Sequence, residues 1–69
     1  MDRALRVELS GLSIPVHVGM IVPLPHSART AAVTGWDEST GMVHIKSTSD
    51  QGYLMTLFAD QLNMKFEEV

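Results

Sequence analysis

The side chains with chemistry to offer are few and far apart. Three histidines, His17, His26 and His44, are the obvious metal-ligand candidates, but none stands at a recognised spacing such as His-x-x-x-His, and no cysteine is present to complete a tetrahedral set. The adjacent acids Asp37 and Glu38 diverge on an extended backbone, and in a turn both are simply solvated. Paired carboxylates with separated pKa values need low-dielectric walls, which a short chain has little interior to build. A nucleophile would have to be a serine or threonine. The Ser-Gly neighbourhoods, Ser10-Gly11 and Ser39 two before Gly41, lack the Gly-x-Ser-x-Gly elbow that exposes an activated hydroxyl. The inventory therefore points away from an enzyme, and no catalytic, cofactor-binding or metal-binding residue is assigned.

What the sequence does offer is apolar contact. Trp36 ends a β-prone run beside the acidic pair, where an indole can serve as a binding anchor. In Tyr53-Leu54-Met55-Thr56-Leu57-Phe58, alternation sends Tyr53, Met55 and Leu57 one way and Leu54, Thr56 and Phe58 the other. Both faces are largely apolar, while a single-layer barrel in water needs only one such face. The second face must be covered by another strand of the chain, by a partner subunit or by a ligand. The candidate partner-binding set is Trp36, Asp37, Glu38, Tyr53, Met55, Leu57 and Phe58, with the acidic pair favouring a basic surface on the partner.

These residues sit in a patterned middle section. Ala31 to Trp36 is small, β-branched and aromatic. The polar run Asp37 to Gly41 leads to Met42-Val43-His44-Ile45-Lys46-Ser47, in which Val43 and Ile45 share a face. A second polar run, Thr48 to Gly52, precedes Tyr53 to Phe58. Three short strands joined by two glycine-ended turns make a β-meander.

Before the meander, Arg3 to Leu9 alternates with Leu5, Val7 and Leu9 on one side, and Gly11 ends that run. Ile14 to Val22 alternates too, with Ile14, Val16, Val18, Met20 and Val22 on one face. Pro15, with no N–H for a ladder, belongs at a strand start or on an edge, and Gly19 suggests a bulge or bend, so the strand runs in two pieces. Pro23 to Thr30 is a loop, since two prolines two residues apart remove donors. After the meander, Ala59 to Leu62 suits a single helical turn, and Asn63 to Glu67 reads as a closing strand with Met64 and Phe66 matched in parity.

The order of these elements, carried by Val33 to Trp36, Met42 to Ser47 and Leu57-Phe58-Ala59-Asp60-Gln61-Leu62, resembles the Src-homology-3-like (SH3-like) small barrel superfamily over roughly residues 16 to 67. That resemblance implies an all-β domain spanning 1–69: a small barrel of five to six short antiparallel strands with one single-turn helix before the last. The spacing of Gly19-Met20, Val33-Thr34-Gly35-Trp36 and Gly52 with Leu62 is also similar to the plasmid-encoded type II dihydrofolate reductases, small barrels that assemble as homotetramers around a shared pore. That family lines its pore with a Val-Gln-Ile-Tyr run, where this chain has Leu54-Met55-Thr56-Leu57. The active-site motif is absent, and the resemblance implies only that the strand Tyr53 to Phe58 faces a partner subunit.

Size sharpens the same expectation. A chain of 69 residues buries only roughly 60% of its unfolded surface, and such a core rarely supplies more than roughly 3 to 5 kcal/mol. With no cysteine, disulfides are not the remedy and an oxidising compartment is not required, so self-association or a larger complex is expected. The net charge is −3, and the five cations, Arg3, Arg6, Arg29, Lys46 and Lys65, are scattered, which argues against nucleic acid. Asp2, Arg3, Arg6 and Glu8 interrupt any leader-like apolar stretch, and no run approaches the roughly 20 residues of a bilayer span. The expectation is a cytoplasmic, non-catalytic module that binds another protein or itself, without cofactor. The alternatives are a pore-forming homo-oligomer that binds a nucleotide or pterin, and a nucleic-acid-binding barrel.

Overall fold

Alternation along the chain is realised as strands almost throughout. The computed structural model describes residues 3–49 and 52–68. Among these it contains β1 (Arg3–Leu9), β2 (Leu12–Pro15), β3 (Ile21–Pro23), β4 (Thr30–Asp37), β5 (Met42–Ser47), β6 (Leu54–Phe58), a single 3-10 turn (Ala59–Leu62) and β7 (Met64–Glu68). They form two antiparallel sheets, β2-β1-β7 and β3-β4-β5-β6, in a small barrel-like all-β fold. Among the described residues no helix is long and apolar enough to cross a membrane.

Among the described residues there are seven strands where five to six were expected. The run Ile14 to Val22 supplies one strand to each sheet, and the bend between them is a glycine bulge. Gly19 N–H donates to the Val33 carbonyl at 2.7 Å and Val33 N–H to the Met20 carbonyl at 2.8 Å, so two residues oppose one. Gly19 adopts φ +93, which a side chain would resist. One expected core residue is lost to this bend: Val18 lies in the turn and is 65% exposed. His17, expected on a strand face, also lies between β2 and β3 and is exposed.

The β1–β2 hairpin closes through Ser10 and Gly11, both with positive φ, the two-residue turn whose twist matches the flanking strands. Between β4 and β5, Gly41 N–H donates to the Asp37 carbonyl at 2.9 Å, and Gly41 takes φ +76. The following turn includes Asp50 and Gln51, which lie outside the described residues.

The core lies between the sheets. Leu5 and Val7 from β1, Val22 from β3, Val33 from β4, and Val43 and Ile45 from β5 are its largest fully buried side chains, joined by Val16, Ala31, Ala59, Leu62 and Met64. Each buried Val, Leu, Ile or Met among them contributes about 1.5 to 3 kcal/mol relative to leaving it in water. Among the described residues no aromatic ring is fully buried in the core. Trp36 and Phe66 pack against it only partly buried, which leaves a small interior and much apolar surface outside.

Candidate functional site

The antiparallel registers assign every residue of β6 to a face. Val33, Ile45 and Met55 are aligned across β4, β5 and β6, as are Trp36, Val43 and Leu57. Residues directly opposite share a face, and Val33, Val43 and Ile45 are buried, so Met55, Leu57 and Trp36 belong to the core side. The other face carries a row of Ile21, Ala32, Lys46 and Leu54, a pair His44 and Thr56, and a row of Asp37, Met42 and Phe58. On this face Leu54 is 77% exposed and Phe58 54%. Nothing among the described residues covers it.

β6 is also the last strand of its sheet, and its ladder fixes which amides are open. Ser47 N–H donates to the Tyr53 carbonyl at 2.8 Å and Ala59 N–H to the Gly41 carbonyl at 2.9 Å, with Met55 opposite Ile45 and Leu57 opposite Val43 in between. In an antiparallel ladder these pairs alternate. Met55 and Leu57 therefore turn their backbone groups toward β5, and Leu54, Thr56 and Phe58 turn theirs outward. Phe58 N–H is claimed locally by the Gln61 side-chain carbonyl at 3.0 Å. Among the described residues nothing in the chain pairs with the outward groups of Leu54 and Thr56.

The other sheet edges are blunted in the ways edge strands usually are. β2 ends on Pro15, β3 is three residues long and ends on Pro23, and β7 carries Lys65, Glu67 and Glu68. β6, Leu-Met-Thr-Leu-Phe, has neither charge nor proline.

The seven candidate residues divide among four places, Glu38 lying in the turn after β4 beside Arg3. Trp36, Met55 and Leu57 are half-buried on the core side. Asp37 and Phe58 meet at one end of the outer face, with Met42 between them. Tyr53 precedes β6 and is 58% exposed, at a shallow groove it shares with Leu24, Arg29, Leu54 and the candidate Met55. The fold thus brings Phe58 and Asp37 together but separates Phe58 from Met55 and Leu57. Leu54, the most exposed large apolar side chain among the described residues, lies outside the candidate set. Its alternation with Thr56 and Phe58 was the available signal.

The polar groups near this face are bound up in local structure. Asp37 Oδ1 accepts the Ser39 hydroxyl at 2.7 Å and the Ser39 N–H at 3.0 Å. The hydroxyl bond, then the backbone bond, holds the Asp37 carboxyl below its ordinary value. Glu38 Oε1 lies 3.1 Å from Arg3 Nε, which ties the acidic turn to β1. His44 Nδ1 and Thr56 Oγ1 share a hydrogen bond of 3.0 Å across the outer face. His26 sits in the proline loop at φ +55. Among the described residues no three His, Asp or Glu side chains gather as a metal site would require.

No family model, no curated protein and no solved structure matches the chain.

Proposed function

We propose that the domain is a non-catalytic binding module of the SH3-like kind, associating through the β6 side of its four-stranded sheet with another protein or with itself. The observation that carries this reading is a free, uncharged edge strand with Leu54 and Phe58 on its open face. Apolar side chains of this size, beside unpaired backbone groups, are what an added strand requires for both affinity and register. The carboxylate of Asp37 at the Phe58 end favours a partner with a basic group there. Asp37, Glu38 and His44 are held by Ser39, Arg3 and Thr56, so the site offers contact rather than proton transfer. We place the protein in the cytoplasm, since a cysteine-free chain gains nothing from an oxidising compartment.

The experiment is photo-crosslinking from defined positions. A photoreactive residue at position 56 is expected to give discrete protein adducts that Leu54→Lys suppresses, whereas the same residue at position 13 on β2 gives none. Adducts from both positions alike, or adducts unaffected by Leu54→Lys, overturn the assignment of the surface.

A further inference from the structure

The open edge of β6 has a pattern that is complementary to itself, and we infer that its occupant is β6 of a second copy, paired antiparallel about a two-fold axis through Met55. The inference rests on the reading of β6 as the binding edge and names its partner. Leu54 and Thr56 each present one N–H and one carbonyl outward. With Leu54 set opposite Thr56 of the second copy, those groups satisfy one another completely, in about four interchain hydrogen bonds.

Gln61 selects this register over its neighbour. If the axis passed through Thr56 instead, Leu54 would lie opposite the second copy's Phe58, and the Leu54 carbonyl would need the Phe58 N–H. That N–H is already held by Gln61, so a carbonyl on each copy would be left without a donor, a costly outcome once covered. The Met55 axis leaves the Gln61 bond undisturbed.

Side chains agree with it. Tyr53 comes to lie opposite Leu57 of the second copy, and Leu54 is diagonal to its Phe58, within reach of an aromatic ring. Tyr53, Leu54 and Phe58 are the three large apolar residues exposed on and beside β6, and all three gain neighbours. Charge does not oppose the pairing despite a net charge of −3. The segment 53–58 carries none, and Lys46, the nearest cation on the outer face, lies three strand spacings, about 14 Å, from His44 of the second copy. That exceeds the screening length at physiological salt.

The test combines mass, register and backbone. Sedimentation of the full chain across micromolar to millimolar concentrations is expected to show a monomer–dimer equilibrium. Met55→Cys, which introduces the chain's one thiol, is expected to form an interchain disulfide rapidly, because residues facing each other at a non-hydrogen-bonded pair lie within disulfide reach. Leu57→Cys and Thr56→Cys are expected to cross-link much more slowly. Thr56→Pro removes an outward N–H without touching the β5 ladder, so the variant folds and its dimer weakens about tenfold or more. Circular dichroism and Trp36 fluorescence confirm that it is folded. A chain that stays monomeric throughout, or cross-links best through position 56, overturns the inference. If it is monomeric yet position 56 still gives Leu54-dependent adducts with a different protein, the binding edge stands and only the second copy is wrong. If position 56 gives none, both fall.

Discussion

Replacing Leu54 by Lys separates a contact surface from a core, because the structure makes the two expectations differ widely. Leu54 is 77% exposed, so about a quarter of its side chain is withdrawn from water. Of the 1.5 to 3 kcal/mol that full burial of a leucine is worth, this is roughly 0.5 kcal/mol. Ile45, on the opposite face of the same sheet, is fully buried, and Ile45→Ala is expected to cost about 2 to 5 kcal/mol through lost transfer energy and the cavity left behind. Against the roughly 3 to 5 kcal/mol that a core of this size supplies, that leaves a large unfolded fraction. Urea denaturation followed by Trp36 fluorescence reads both, since the chain has a single tryptophan and it packs partly buried against the core. At sub-micromolar protein, where association is suppressed, Leu54→Lys is expected to move the midpoint by about 0.5 M or less, taking a slope near 1 kcal/mol per molar urea. At high protein concentration the wild-type midpoint rises, because association favours the folded state, and that of Leu54→Lys does not. A loss of about 2 kcal/mol for Leu54→Lys in dilute solution would refute the reasoning, since it would make Leu54 part of the monomer's own core.

Three further outcomes follow from the turns and their charges. Gly19→Ala meets no atoms around the new methyl group, so its expected loss of about 1 to 2 kcal/mol comes only from holding a side chain at positive φ, and denaturation midpoints measure it. Ser39→Ala removes the bond that depresses the Asp37 pKa, so the Asp37 carboxyl should titrate closer to the ordinary value in NMR. Because the folded-state pKa lies below the unfolded one, the stabilisation from Asp37 is present above the ordinary aspartate pKa of about 3.9 and is lost as pH falls through the lowered value. The loss is smaller in Ser39→Ala. Glu38→Gln, which breaks the exposed pair with Arg3, is expected to cost less than about 1 kcal/mol, and the difference should vanish in high salt.

Much of this architecture was legible because period-two patterning has few solutions. Val43 and Ile45 announced the core face of β5, Leu5 and Val7 that of β1, and Ala59 to Leu62 the single turn before the last strand. What escaped was set by tertiary context. Val18 has the right parity for the core, but the bulge at Gly19 turns it outward, and the cost of that bulge is local while the sheet-to-sheet crossing it permits is not. The surplus of apolar surface along Tyr53 to Phe58 was visible, yet which face was the surplus one was not. Face assignment depends on the register with β5, and the register follows from the loop between Ser47 and Leu54. Tyr53, grouped with Met55 by alternation, lies just before the strand begins and stays exposed at its end. That β6 is an edge could not be read from the residues at all, since strand order is a property of the whole sheet.

The most direct test of the central claim is amide hydrogen exchange along β6 in dilute solution. The account predicts alternation: Met55 and Leu57, bonded to β5, exchange slowly, while Leu54 and Thr56 exchange fast and become protected only as protein concentration rises or a partner is added. Leu54 and Thr56 amides as slow as their neighbours in the dilute monomer would contradict it, because the edge would then already be closed.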